Sequence, residues 1–239
     1  MYRLVVRAEQ IKPEQINLDA QQLHYLLRVL RLGNGDRFLA LDGIGNCWLA
    51  QIEASNARIV ESVEIKTELP VALSLITALP KGSGYEQILR CCTELGVSSF
   101  LPVISDRTII KPKASKVERW RKIVTEAAEQ SERQIVPNIS EPAKFTAAIL
   151  DQAPQDQHLG KYICVARGDI PNLWQSLQKQ AQSEIVIATG CEGGWTDKEI
   201  EKAIAQGFQP VSLGKRILRA VTAPIVASSI VMAVWDTNC

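Results

Sequence analysis

The segments EIVIATGCEGGW (residues 184–195) and PVSLGKRILRAVTAPIVASSIVMAVW (210–235), separated by a polar helical stretch, share one grammar. In each, an apolar run of strand length enters a glycine-bearing turn, and the turn opens a helix. Thr196-Asp197-Lys198-Glu199 has the spacing of a capping box, which fixes where the first of these helices begins. Glycines in such turns let backbone N–H groups approach a ligand without an intervening side chain. Two loops of this kind, at the ends of adjacent strands, can line one pocket and hold a small cofactor with main-chain atoms. The alternative is that each is only a tight connection.

The familiar nucleotide cradles fail on spacing. Gly190-Cys191-Glu192-Gly193-Gly194 does not supply G-x-G-x-x-G, and no stretch matches G-x-x-x-x-G-K-[ST]. Glu192 would repel a phosphate and suits a ribose hydroxyl or a cationic group. The loop therefore leans toward a nucleoside with little or no phosphate, a description that S-adenosylmethionine fits.

Outward from these segments the same alternation continues. VALSLITAL (71–79), SFLPVIS (99–105) and KYICVAR (161–167) read as strands, with helices at Tyr85–Leu95 and Ser115–Arg133. Strands alternating with helices predict a parallel sheet covered on both faces. Asp151–Gly160 reads as a polar surface loop. Before Leu69-Pro70, a plausible boundary, the pattern is mostly β. Leu39–Glu53 alternates around Gly43-Ile44-Gly45-Asn46 as a hairpin, and Ala57–Ile65 is a further strand. One helix, Ala20–Arg31, is expected to bury Leu23, Leu27 and Leu30 and to expose His24, Arg28 and Arg31.

Bulk properties narrow the classes. The 239 residues carry a net charge of +1, so any nucleic-acid affinity must come from local patches. The first ten residues lack the apolar core of a secretory signal. Ala220–Trp235 is apolar but shorter than the roughly 18 residues of a membrane span, and Pro224 interrupts it. It reads as a helix buried on most faces, which in a chain of this size suggests a subunit interface. The six cysteines include no C-x-x-C pair and only two histidines accompany them, so no metal site is expected. Arg107, Lys111, Lys113, Lys116, Arg119, Arg121 and Lys122 cluster against one acid, Glu118. That density suits phosphate contacts. The alternative is a solvated helix face, which the following Glu126, Glu129 and Glu132 support.

The segments TGCEGGWTDKEI (189–200) and SLGKRILRAVTAP (212–224) resemble the bacterial 16S ribosomal RNA uridine N3-methyltransferase family, a branch of the SPOUT methyltransferases. ALPKGSGYEQILRCCTELGVSSFLPVISDRT, RWRKIVTEAAEQSERQIVP and the N-terminal HYLLRVLRLGNGDRFLALDG match the family in the right order. Two positions depart from its pattern: Cys191 replaces a usual proline, and Val221 stands where a glutamate is common. The second departure puts in doubt any catalytic role assigned to that glutamate.

The resemblance implies an α/β chain of two domains, a PUA-like RNA-binding domain over residues 1–69 and a SPOUT domain over 70–239. The parallel sheet of the second would be tied in a trefoil knot, one of the rare exceptions to un-knotted topology. It implies a cytoplasmic homodimer that uses S-adenosylmethionine to methylate N3 of a uridine in 16S ribosomal RNA of the small subunit, with no membrane and no metal. By family position the cofactor residues are Leu79, Pro80, Gly190, Glu192, Gly193, Gly194, Leu213, Gly214, Ile217 and Leu218. Arg219 and Arg133 are the candidates for charge on the substrate side, each with a structural ion pair as its alternative. Arg28, Arg31, Lys81, Arg107, Lys111, Lys113 and Lys116 are the candidates for RNA contact. Two other readings stay open: methylation of a ribose 2′-hydroxyl, and an RNA-binding assembly factor without catalysis.

Overall fold

The computed structural model describes residues 1–110, 112–151, 159–178 and 182–236. They form two compact units: Met1–Glu68 with Thr125–Val136, and Leu69–Val124 with Pro137–Cys239. Lys111 and most of the expected 151–160 loop lie outside the described residues.

In the first unit β1 (Arg3–Val5), β2 (Gln15–Asn17), β3 (Arg37–Leu41), β4 (Cys47–Glu53) and β5 (Asn56–Ser62) form a mixed sheet ordered β1-β3-β4-β5-β2. The hairpin forms as expected, with Leu41 opposite Cys47. Its turn needs glycine at Gly43 (φ +76°) and Gly45 (φ +118°), and Asp42 Oδ1 accepts the N–H groups of Ile44 and Asn46 at 2.9 and 3.0 Å. Alternation sends Phe38, Ala40, Ala50 and Ile52 to one core and Leu39, Leu41, Cys47 and Leu49 to another.

The expected helix Ala20–Arg31 is instead α1 (Ala20–His24) followed by one wide turn over Tyr25–Val29, closed by the Leu30 N–H donating to the Tyr25 carbonyl at 2.9 Å. The wide turn holds an extra residue and rotates the face. Leu26 is fully buried and Leu27 points outward, so the apolar face is Leu23, Leu26 and Leu30 rather than Leu23, Leu27 and Leu30. Arg31 ends the element at φ +58°, and Arg28 and Arg31 do not share a regular helical face.

The second unit contains β6 (Ala72–Ala78), α2 (Gly84–Glu94), β7 (Ser99–Ile104), most of α3 (Ala114–Gln130), β8 (Asn138–Ile139), β9 (Ala143–Lys144), α4 (Phe145–Asp151), β10 (Leu159–Cys164), α5 (Leu173–Leu177), β11 (Glu184–Thr189), α6 (Asp197–Ala205), β12 (Gln209–Val211) and α7 (Thr222–Trp235). The sheet runs β12-β10-β11-β6-β7-β8, with β9 also on β7, and every pairing is parallel. Ile76, Ala78, Val186 and Ala188 face a core shared with Phe145, Ile149 and Ala203 of α4 and α6. Leu73, Leu75, Ile185 and Ile187 are fully buried on the opposite face, where α7 packs on β6, β11, α2 and α5. The central strands are thus buried on both sides, which is why they read as unbroken apolar runs.

α3 ends at Gln130 rather than at Arg133, because Glu132 adopts φ +64°. No described helix is long and apolar enough to cross a membrane.

Candidate active site at the strand ends

In a parallel sheet all carboxyl ends lie on one edge, and ligands bind in the crevice beyond them. Here that edge carries Leu79–Lys81 after β6, Ser105–Arg107 after β7, Gly190–Thr196 after β11 and Ser212–Arg219 after β12. The register sets Thr189 beside Thr77, and their hydroxyls lie 3.4 Å apart in the core beneath the edge. The first three loops therefore start side by side.

The loop after β11 is fixed from several directions. The Gly194 N–H donates to the Cys191 carbonyl at 2.9 Å, closing a turn in which Gly194 has φ +67°. A Cβ on Gly190 would lie 3.1 Å from Gly194 Cα, so any larger residue there would push the turn open by a few tenths of an ångström. The Lys81 N–H donates to Glu192 Oε1 at 2.9 Å and ties the loop to the end of β6. Glu199, read from sequence only as the partner of a capping box, does more. Its Oε2 accepts the Thr196 N–H at 2.8 Å and its Oε1 accepts the Asp106 N–H at 2.9 Å, so a buried carboxylate joins this loop to the end of β7. Trp195 is buried, with its ring 4.2 Å from that of Phe145.

Arg107 completes the bracing. Its Nη1 donates to the carbonyls of Gly193 at 2.6 Å and Trp195 at 3.1 Å, and its aliphatic stem covers Gly193. The sequence places Arg107 in a basic run and suggests RNA; the fold gives its guanidinium the backbone of the glycine loop. The signal for this was absent from the sequence, because the two segments are 86 residues apart. Cys191, the departure from the family pattern, is buried with its Sγ 3.7 Å from the Ser105 hydroxyl and serves packing.

The loop after β12 is held more lightly. The Gly214 N–H donates to the Ser212 hydroxyl at 3.1 Å, with Gly214 at φ +115°, and the Arg219 carbonyl accepts the N–H groups of Thr222 and Ala223 to start α7. Leu213 and Leu218 are half-buried, while Ile217 is 65% exposed. Val221, the second departure, packs on the start of α2: a Cβ on Gly84 would come within 2.8 Å of Val221 Cγ2.

The surfaces that remain fit a nucleoside with an aliphatic arm. Leu79 and Pro80 are buried beside the loop, and nothing lies within 4 Å of where a Gly194 Cβ would be. Among the described residues Glu192 Oε2 has no partner and can accept from a ribose hydroxyl. Burial pushes the thiols of Cys92, in the core, and of half-buried Cys164 up to about 12, which keeps both in the weakly nucleophilic thiol form near neutral pH. No group of three or more possible metal ligands occurs among the described residues.

The two candidate arginines differ. Arg133 is buried in the first unit, where Nε and Nη2 both donate to Glu68 Oε2 at 3.0 and 2.6 Å while Glu68 Oε1 accepts the N–H groups of Gln134 and Ile135. That is the structural ion pair. Arg219 is exposed at the start of α7, and its guanidinium has no hydrogen bond or ion pair among the described residues. Of the candidates for RNA contact, Lys81 and Lys113 are exposed in the second unit, Lys116 Nζ donates to the Gly82 carbonyl at 3.3 Å, and Arg28 and Arg31 are exposed in the first.

These loops form a candidate ligand site at the strand ends of a parallel α/β sheet, and comparison with known proteins gives the chain a family. A model described as an RNA methyltransferase domain matches residues 67–232, and one described as an RNA methyltransferase PUA domain matches residues 18–65. The chain is 51% identical over 241 residues to ribosomal RNA small subunit methyltransferase E of Synechocystis, covering 99% of this chain and 78% of that one. It is 32% identical to the Bacillus subtilis protein of the same name, covering 89% and 88%. Among solved structures, the methyltransferase E of Neisseria gonorrhoeae bound to S-adenosyl methionine is 30% identical and superposes over 100% of both chains with a TM-score of 0.88. The protein belongs to the small-subunit ribosomal RNA methyltransferase E family of RNA methyltransferases.

Proposed function

We propose that the protein transfers the methyl group of S-adenosylmethionine to N3 of a uridine in 16S ribosomal RNA of the small ribosomal subunit, in the cytoplasm. One observation carries this reading: a glycine loop braced by Lys81, Arg107 and Glu199 at the strand ends of a chain that superposes along its whole length on a relative solved with that cofactor.

Bound S-adenosylmethionine supplies an already activated methyl group. The work of the chain is therefore positioning and charge stabilisation. Backbone groups of Gly190–Gly194 and Leu213–Leu218, with Leu79 and Pro80, hold the nucleoside and its arm, and Glu192 accepts from the ribose. Uracil gives up its N3 proton to solvent water, negative charge spreads onto its two carbonyl oxygens, and the N3–methyl bond forms as the sulfonium–methyl bond breaks and S-adenosylhomocysteine leaves. Arg219, exposed and unengaged by the described residues, is the group suited to meet that charge.

Residues 1–69 would grip the RNA and 70–239 would carry the chemistry, with the chain after β12 tied as a trefoil knot. α7 leaves Ile225, Ile230 and Val234 only half-buried, which supports a homodimer closed over this helix. Sedimentation at micromolar concentration checks the dimer. The reaction is checked by incubating unmodified small subunits with methyl-labelled S-adenosylmethionine and analysing the nucleosides by mass spectrometry. Label in 3-methyluridine is expected, and label on a ribose would replace this reading with 2′-hydroxyl methylation.

A further inference from the structure

A cleft at the start of α3, of about 360 Å³, takes no part in the cofactor loops. Its apolar wall is Ile110 and Pro112, and its polar rim is Lys113, Lys116 and Arg119 with Glu86. The cations are held in different ways. Arg119 Nη2 bonds Glu86 Oε2 at 2.8 Å, so this pair is largely self-neutralised. Lys116 Nζ donates to the neutral Gly82 carbonyl at 3.3 Å and keeps its charge uncompensated. The Lys113 side chain is exposed and its ammonium has no hydrogen bond or ion pair among the described residues, while its carbonyl accepts the Lys116 N–H at 2.9 Å. The cleft thus joins two uncompensated ammonium groups to an apolar wall, the combination that meets a phosphate on one side and the face of a base on the other. The cleft is shallow and open to solvent, and its volume is of the size of a single nucleotide.

Its place in the fold gives this chemistry a purpose. Gly82, whose carbonyl receives Lys116, directly follows Lys81, whose N–H holds Glu192 of the glycine loop. The cleft and the glycine loop are joined through two consecutive residues. We propose that the cleft is a subsite for the single-stranded nucleotide flanking the methylated one. Lys113 and Lys116 take its phosphate, and Ile110 and Pro112 take a face of its base. This inference rests on the RNA methyltransferase reading above.

The test uses the full chain with Lys113 and Lys116 both replaced by Ala, and with both replaced by Arg. RNA affinity is measured with unmodified 16S ribosomal RNA over a range of salt, and cofactor affinity with S-adenosylhomocysteine. The Ala pair should bind the RNA about tenfold more weakly, with the log–log salt slope reduced by about 0.7 for each lost single-strand phosphate contact. The Arg pair should restore both, and S-adenosylhomocysteine should bind all three proteins alike, which also reports an intact fold. A synthetic target RNA with one neutral methylphosphonate linkage beside the uridine should bind the wild type several-fold more weakly and cost the Ala pair nothing further. Unchanged affinity and salt slope in the Ala pair, or an equal methylphosphonate penalty in both proteins, would overturn the subsite. If the wild type binds RNA yet transfers no methyl group, the methyltransferase reading fails, and the cleft is judged on the affinities alone.

Discussion

The loop after β11 and the loop after β12 both bear glycine, and both leave a parallel strand for a helix, yet they are held differently. The first is braced by Lys81, Arg107 and Glu199, which reach it from the ends of β6 and β7 and from its own helix. Among the described residues, the second is tied at its start, where the Ser212 N–H donates to the Pro171 carbonyl at 2.8 Å and the Ser212 carbonyl accepts the Leu173 N–H at 2.9 Å, and beyond Ser212 it has only the Ser212–Gly214 contacts and the bonds that open α7. Preorganisation lowers the ordering cost of binding. In the proposed cofactor site the first loop would be the fixed wall and the second, which leaves β12 on the far side of β10 rather than an adjacent strand, the wall that adapts, with Ile217 exposed.

Substitutions rank this contrast by their effect on S-adenosylhomocysteine affinity. Gly193→Val should have the largest, because a Cβ there already lies 3.0 Å from Arg107 Cδ and 3.1 Å from its Cβ. Calorimetry should show affinity lost by a hundredfold or more, with the circular dichroism of the fold retained. Arg107→Ala removes both carbonyl contacts and should weaken binding by about tenfold, roughly 1.4 kcal/mol, while the salt slope for RNA stays as it is. A reduced slope with unchanged cofactor affinity would return Arg107 to the RNA. On the adaptable side, Ile217→Ala should weaken binding only about threefold, roughly 0.7 kcal/mol. Its melting temperature should stay unchanged, because an exposed side chain contributes little to folding. A larger loss for Ile217→Ala than for Arg107→Ala would reverse the contrast.

Glu129, in the first unit, should leave cofactor affinity untouched and move stability instead. Its carboxyl is pushed up to about 7 mainly by burial, with the Val5 N–H at 2.7 Å opposing that shift and Glu126 adding to it. A carboxyl raised above its unfolded value of 4.5 contributes stability that is full below that pH and lost as pH rises through about 7. Glu129→Gln should therefore be more stable than the wild type at pH 8 by about 1 kcal/mol, with a flatter stability profile between pH 5 and 7 in urea titrations. An unaltered profile would contradict the assignment.

The sequence announces the fixed wall through its glycines and the capping box Thr196–Glu199, but not what fixes it. Arg107 and Lys81 reach the loop across long separations that local periodicity does not register. The parallel sheet was legible because strands buried on both faces stay apolar throughout. Elements of two to seven residues, β8, β9, α4 and α5, were not, being too short to show a period. Arg133 and Arg219 read alike in sequence, and only tertiary contact separates a guanidinium bound by Glu68 from one facing solvent. The wide turn at Tyr25–Val29 misled the reading of α1, since one added residue exchanges Leu26 for Leu27.

Calorimetric titration of S-adenosylhomocysteine into the full chain without RNA is the most direct test of the cofactor site. The account predicts saturable binding, with a melting temperature that rises with ligand concentration, as for any ligand that binds only the folded state. No heat and no shift at saturating ligand would contradict it and leave a protein that binds RNA without methylating it.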